Sequence, residues 1–286
     1  MIPTLFEIPI FGGIPIHSFG LMLAMSFLTT SFVLKKLFKR ANYPADLADQ
    51  VILVAAIAGL AGSKLYYLLF EAFDRFLKHP IDMLFSGAGL TWYGGFVLAM
   101  ISIIWLIRKN KLPVLKSIDM ISVPLPLGYG IGRIGCHLAG DGDYGKPWDG
   151  IFATDYSKGI VPPSQAFYGT EIAKDYPNGI VPDHTLCHPT PMYETVFSII
   201  IFAILWYTTK KKLPAGFQIS LYFMLGGLQR FLIEFLRINP KVAFDLSGAQ
   251  LISLVLILFG GIWMFWAFKI QPKSELDRIS AKIRKS

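Results

Sequence analysis

The chain has 286 residues, 53% hydrophobic and only 16% charged, with a formal net charge of +8 and a mean hydropathy of +0.51. Soluble domains carry about 25% charged residues; the deficit here is concentrated in long apolar blocks, which excludes an ordinary soluble core. The basic residues cluster at the ends of those blocks, so they read as membrane topology rather than nucleic-acid binding, and two cysteines, Cys136 and Cys187, exclude a disulfide scaffold.

Residues Met1 to Pro15 show no basic n-region and no small-residue cleavage site, so no cleavable signal peptide is expected and the first apolar block reads as a retained helix. A helix needs about 20 apolar residues to cross a ~30 Å hydrocarbon core. Blocks of that kind run over 16–37, 47–70, 89–107, 117–138, 190–208, 214–236 and 246–269. They predict an all-α integral membrane protein, a seven-helix transmembrane bundle. The fourth block holds Pro124, Pro126 and the glycines between Gly128 and Gly135, and is read as a broken helix. Irregular backbone at membrane depth is tolerated only where it packs in protein or lines a cavity, so with Arg133 it marks a candidate site.

Between the fourth and fifth blocks, 139–189 is rich in Gly, Pro, Asp and Tyr and holds no apolar run long enough to span. A loop of that length is usually functional or a small subdomain, and it is read as an extracytoplasmic head. The predicted organisation is therefore 1–138 with four transmembrane helices, the head 139–189, three more helices in 190–270, and a cytoplasmic basic tail 271–286. Lys35, Lys36, Lys39 and Arg40 follow the first block, Arg108, Lys109, Lys111 and Lys116 the third, and Lys210, Lys211 and Lys212 the fifth. The alternate loops are poorer in Lys and Arg, which places the N-terminus outside and the C-terminus in the cytoplasm. The tail Ser274 to Ser286 is read as solvated, with a short amphipathic helix on the anionic leaflet as the alternative.

Lys64, Arg133, Glu194, Arg230, Glu234 and Arg237 fall within or at the edge of these blocks. Each such charge costs about 2.5–3.5 kcal/mol at a helix centre, so the group faces the bundle interior, water or another charge; the bland alternative is internal salt bridges that only order the helices. Arg230, Glu234 and Arg237 share one helical face, and Arg230 with Glu234 could neutralise locally. Arg133 has no acidic residue three or four positions away, so an anion has to reach it; its planar fork suits a phosphate, and in a membrane that means a phospholipid head group. Cys136, His137, Asp141 and Asp143 follow it, and the fifth block opens with His184, Cys187, His188, Tyr193 and Glu194. Both stretches map to the outer face, bringing a head group held by arginines beside residues able to move protons. The Cys, His and Asp residues could instead form a metal site, although no pair has a strong zinc spacing; Cys136 and Cys187 could pair in an oxidising compartment or remain inert thiols.

The series resembles the prolipoprotein diacylglyceryl transferase family over nearly the whole chain. It runs from His17-Ser-Phe19-Gly20 through Gly62-Ser-Lys64, Gly89-Leu-Thr-Trp-Tyr93-Gly94-Gly95, Gly132-Arg133-Ile-Gly135, His188-Pro-Thr-Pro-Met-Tyr193-Glu194 and Arg230-Phe-Leu-Ile-Glu234-Phe-Leu-Arg237 to Gln250. The resemblance implies an enzyme of the bacterial cytoplasmic (inner) membrane that moves a diacylglyceryl group from phosphatidylglycerol to the lipobox cysteine of a prolipoprotein. A thioether forms, glycerol phosphate leaves, and no metal or other cofactor is needed. It puts the two essential arginines on Arg133 and Arg230 and their glutamate on Glu234. Asp141 and Tyr93 are the further catalytic candidates, and Arg237, Tyr193, Glu194 and His188 join the arginines in binding substrate. The chain departs from the family pattern at Tyr93, where the family has a histidine, at Cys136 for asparagine, Asp141 for glutamate and Phe19 for tyrosine. A tyrosine with a pKa near 10 is a poor base unless a cation lowers it, which leaves Asp141, His137 and His188 as alternatives. A divergent paralogue with another acceptor, or a non-enzymatic lipid-binding or transport protein, is the competing reading.

Overall fold

The computed structural model describes residues 1–9, 14–86 and 91–283. Gly89, in the resemblance, and Arg284 and Lys285, in the basic tail, lie outside them. The chain is mostly helical. Five helices among the described residues are long and apolar enough to cross a membrane: Ser18–Arg40, Asp46–Glu71, Thr190–Thr208, Phe217–Leu236 and Gly248–Lys269. They are the first, second, fifth, sixth and seventh predicted blocks. The third block forms the 18-residue helix Trp92–Lys109, and the fourth splits into two helices.

In chain order, a hairpin of β1 (Thr4–Ile8) and β2 (Ile14–His17) leads into α1 (Ser18–Arg40). Next come α2 (Asp46–Tyr66), which ends in a π-turn over Tyr67–Glu71, the short α3 (Phe73–Lys78) and α4 (Pro80–Phe85), then α5 (Trp92–Lys109) and α6 (Val114–Ser122). After α7 (Leu125–Ala139) the chain forms β3 (Thr154–Asp155), α8 (Pro163–Ala166) and β4 (Leu186–Cys187). It closes with α9 (Thr190–Thr208), α10 (Phe217–Ile233), the hairpin of β5 (Lys241–Ala243) and β6 (Leu246–Ser247), and α11 (Gly248–Ile283). Strands β3 and β4 pair antiparallel, as do β5 and β6.

The chain divides into two units, Ser31–Met120 on the one hand and Met1–Thr30 with Ile121–Ser286 on the other. In the 31–120 unit, α2 and α5 pack at near backbone contact. A Cβ on Gly62 would lie 2.4 Å from the Gly94 carbonyl oxygen, one on Gly94 2.3 Å from that of Gly62, and one on Gly95 2.3 Å from Ser63 Oγ. Small residues at a helix interface let backbones approach where lipid offers no hydrophobic drive to associate. Lys64 in this unit donates to the Ser86 carbonyl at 2.8 Å and to its hydroxyl at 2.9 Å, so its charge braces the chain after α4.

In the other unit the predicted break in the fourth block falls at Val123–Pro124, between α6 and α7. Pro124 cannot continue a helix, whereas the glycines of α7 stay in regular helix and serve packing: Gly128 faces Thr30, Gly130 faces Ser198 and Gly135 faces Met22. The stretch after α7 has a core of its own. Tyr144 and Tyr156 stack at 4.1 Å between ring centroids, with Phe167, Ala173, Val181 and Cys187 around them. Along α11, Val255, Leu258, Ile262 and Trp266 are exposed at helical spacing, an apolar stripe of the kind that faces lipid.

Candidate active site

Helix α7 ends at Gly140, whose left-handed φ of 61° turns the chain at the helix C-terminus, a conformation glycine adopts without steric cost. Asp141 and Asp143 follow, and the chain then threads past Gly145, where a Cβ would lie 2.6 Å from the Leu236 carbonyl oxygen and 2.8 Å from Thr190 Cγ2. Backbone bonds clamp this passage: Gly145 N–H donates to the His188 carbonyl at 2.9 Å and Lys146 N–H to that of Leu236 at 2.8 Å. Thr190 Oγ1 donates to the Asp143 carbonyl at 2.7 Å. Asp143 is thus fixed where the ends of α7, α9 and α10 meet.

Six charges close a ring there. Arg133 Nε donates to Glu194 Oε2 at 2.5 Å, and its Nη1 pairs with Asp143 Oδ2. Arg230 places Nη1 3.3 Å from Glu194 Oε1 and Nη2 2.8 Å from Glu234 Oε2. Arg237 completes the circuit, with Nη2 2.5 Å from Asp143 Oδ1 and Nε 4.0 Å from Glu234 Oε2. Guanidinium and carboxylate alternate around the ring, so its formal charge is zero. Neutral donors fill the remaining carboxylate valences. Tyr129 OH reaches Glu194 Oε1 at 2.9 Å, while Asn239 and Ser247 reach Glu234 Oε1 at 2.6 and 2.8 Å. Gln229 Nε2 holds the Glu194 carbonyl at 3.1 Å.

This corrects the expectation for Arg133. The anions that reach it are Glu194 and Asp143, partners 61 and 10 residues away that helical spacing could not reveal. Arg133 and Glu194 are buried, whereas the Arg230 side chain is 31% exposed and is the ring's open cation. Burial alone would raise the Asp143 carboxyl; Arg237 and Arg133 outweigh it and hold it at about 2. Asp141 moves the other way. Burial lifts it above the ordinary carboxylate range, and the hydrogen bond from the Cys136 thiol offsets only part of that. Asp141 also lines an open, mostly apolar cavity of about 490 Å³ with His17, Phe19, Gly20, Ala139 and Ile160.

Of the residues singled out from the sequence, Arg133, Arg230, Arg237, Glu194 and Glu234 are ring members. Asp141 adjoins it, accepting from the Asp143 N–H at 3.3 Å. His188 and Tyr193 form a pair of their own, Nδ1 to OH 3.4 Å, and His188 stacks on Trp148 at 4.3 Å between centroids. Burial, with Lys146 nearby, lowers the His188 imidazole. Tyr93 is the second residue of α5 in the other unit and is more than half exposed. Asp143, read beforehand only as one acid after Arg133, proves to join two arginines. Tyr129 was missed although it lies one helical turn before Arg133 on the same face, and Gln229, a polar residue inside an apolar block, was an unused signal.

Cys136 and Cys187 are both free and buried. Cys187 packs among aromatic rings, while Cys136 Sγ lies 3.5 Å from Arg133 Nη1, which disposes of the disulfide alternative. Cys136, Asp141 and Asp143 bring one ligand atom each within 4.8 Å of one another. Both Asp143 oxygens are already paired with guanidinium groups, so the trio offers a cation little net negative charge. His137 Nδ1 sits 2.9 Å from Tyr156 OH, a hydrogen-bonding rather than ligating role.

Relatives share this chain along almost its full length. Proteins named phosphatidylglycerol–prolipoprotein diacylglyceryl transferase are similar to it from Clostridium tetani (strain Massachusetts / E88), 31% identical over 262 residues, 91% of this chain and 95% of the relative. The namesake from Stenotrophomonas maltophilia (strain R551-3) is 28% identical over 259 residues, 87% of each chain, and that from Acinetobacter baumannii (strain SDF) 27% over 265, 89% of each. The family model described as prolipoprotein diacylglyceryl transferase matches residues 3–266, a span that contains every member of the charged ring, and the chain belongs to that family.

Proposed function

We propose that this chain transfers the diacylglyceryl group of phosphatidylglycerol to the lipobox cysteine thiol of a prolipoprotein. The observation that carries the reading is the closed ring of three arginines and three carboxylates in a family member, with one arginine open. Arg230 takes the lipid phosphate. Arg133, locked between Glu194 and Asp143, lends its field to that phosphate and keeps the ring in register, and Glu234 orients Arg230. Positioned cations act on charge that grows at the leaving oxygen, and they act more strongly where water is excluded.

The acceptor thiol must lose its proton, because thiolate is the nucleophile and a free cysteine has a pKa near 8.5. Asp141, with its raised pKa and its face on the cavity, takes that proton. The sulfur then attacks the glycerol carbon, the carbon–oxygen bond to phosphate breaks, and glycerol phosphate departs with the electron pair. His188 and Tyr193 contact the incoming head group. No metal or cofactor enters this scheme. The topology that fits is seven spans with the N-terminus outside, the 139–189 stretch as an extracytoplasmic head, and the basic tail in the cytoplasm of a bacterial inner membrane.

Complementation of a strain depleted of its own transferase tests the reading, with lipid transfer to a lipobox peptide as the biochemical readout. Wild type restores growth; Arg133→Ala and Arg230→Ala do not, and Tyr93→Phe retains most activity if Asp141 is the main base. Failure of the wild-type protein with phosphatidylglycerol rejects the function, and unimpaired arginine variants reject the mechanism.

A further inference from the structure

The hairpin of β5 and β6 breaks a local rule. Its two-residue loop, Phe244-Asp245, holds both residues at positive φ, 53° and 55°, between the paired Ala243 and Leu246. Such turns favour Asn-Gly or Asp-Gly, and a phenylalanine there carries a steric penalty that either pair would avoid. The side chain so placed gains nothing from packing: Phe244 is 91% exposed and its neighbour Val242 is 70% exposed. A strained backbone that presents an apolar side chain to the outside points to function rather than folding.

The hairpin is also tethered. Asn239 at one end and Ser247 at the other both donate to Glu234 Oε1, in the ring and at the end of the apolar stretch Phe217–Leu236. The apolar helix α11 starts immediately after Ser247. Phe244 is three residues from the Ser247 tether, so its backbone stays within about 10 Å of it even when fully extended. At that distance from the ends of two apolar helices, the surroundings are the head-group layer. Exposed Lys241 donates to the Asp245 carbonyl, and exposed Asp245 balances its charge, so the hairpin presents an apolar pair, Val242 and Phe244, flanked by polar groups, which suits the lipid–water interface.

We infer that the Lys241–Ser247 hairpin is a lipid-engaging surface, with Val242 and Phe244 seated at the boundary between head groups and acyl chains and the lipid bilayer interface as its partner. The inference rests on the membrane-spanning reading of α10 and α11. It deepens the proposed function, because the residues that hold the hairpin to lipid are tied through Glu234 to Arg230, the open cation.

A depth measurement tests it. The native cysteines are buried, so Phe244→Cys, Leu258→Cys on α11 and Tyr168→Cys in the stretch after α7 can be labelled with an environment-sensitive fluorophore. The full-length protein is placed in nanodiscs of phosphatidylethanolamine and phosphatidylglycerol carrying nitroxides at head-group or mid-chain depth. The label at 244 is expected to emit blue-shifted light and to be quenched most by the head-group nitroxide, that at 258 by the mid-chain nitroxide, and that at 168 by neither. Water-like emission at 244 with quenching intact at 258 overturns the hairpin assignment and leaves the spanning reading standing. Loss of quenching at both sites overturns the spanning reading and the inference with it. A blue shift at 244 only after a lipobox peptide is added also overturns it, in favour of a peptide dock. Independently, Phe244→Asn is expected to raise Tm by relaxing the turn and to raise KM for vesicle lipid with kcat unchanged; an unaltered KM counts against the inference.

Discussion

At the residue scale, the ring divides its members by what removing each would leave behind. Glu194 is fully buried and touches both Arg133 and Arg230, so Glu194→Gln takes one carboxylate from each guanidinium, and buried Arg133 is left with Asp143 alone where water cannot replace the lost charge. Breaking a buried pair from one side costs about 3–5 kcal/mol, and the variant is expected to unfold at a clearly lower temperature in detergent as well as losing transfer activity. The two aspartates after α7 respond to pH in opposite directions. Asp143, held at about 2, contributes stability that is present above its unfolded value near 3.9 and is lost as pH falls through about 2. Asp141, raised by burial, contributes stability that is complete below the unfolded value and lost as pH rises through its folded value. Asp141 has to be ionised to serve as base, and in that form it weakens the fold. Asp141→Asn should lose on the order of 10²- to 10⁴-fold in rate, flatten the rise of activity with pH, and gain in melting temperature relative to wild type as pH rises; a relative loss with rising pH would contradict the burial argument. Sequence alone identified five of the six ring residues, because a charge in an apolar block is conspicuous. It did not identify their pairing, because Arg133 and Glu194 are joined across helices and a helical repeat reports only neighbours on one helix.

At the element scale, two of the stretches that carried the family resemblance turn out to be the two sides of a single contact. Gly62-Ser-Lys64 on α2 and Tyr93-Gly94-Gly95 on α5 meet where their glycines let one backbone rest on the other. Gly94→Val has no room to relax, since the nearest atoms are backbone and the Cβ of Tyr66. Overpacking of this kind costs about 1–3 kcal/mol, whereas Gly132→Ala, with nothing within 4 Å of the added carbon, is expected to be neutral or slightly stabilising. Thermal unfolding of the two variants side by side checks this, and equal losses would reject the packing account. The glycines of α7 teach the same lesson from another direction. As a string around Arg133 they suggested an unwound helix, yet the break belongs to Pro124 and the glycines remain helical to admit α1 and α9. Composition announced an interrupted span; which residue interrupts it depends on where neighbouring helices press, and that is a tertiary fact.

At the scale of the whole molecule, the apolar blocks were the most legible part of the sequence, since membrane helices satisfy their own backbone and must announce their length in composition. The proposed topology predicts that an alkaline phosphatase fused after Lys212 stays in the cytoplasm and is inactive, and that one inserted near Tyr168 lies outside and is active; the reverse pattern would invert the positive-inside reading. The ring adds a constraint on assembly. Its members arrive in the order Arg133, Asp143, Glu194, then Arg230, Glu234 and Arg237. A nascent chain that has reached only the end of α9 holds one arginine against two carboxylates; α10 then brings Arg230, and the turn that follows it brings Glu234 and Arg237. The running charge therefore returns to zero for the whole ring only when synthesis passes Arg237, and a chain halted between Glu194 and Arg230, or between Glu234 and Arg237, carries one uncompensated carboxylate. The chemistry proposed for the mature protein and the signal that its helices have docked are set by the same six side chains.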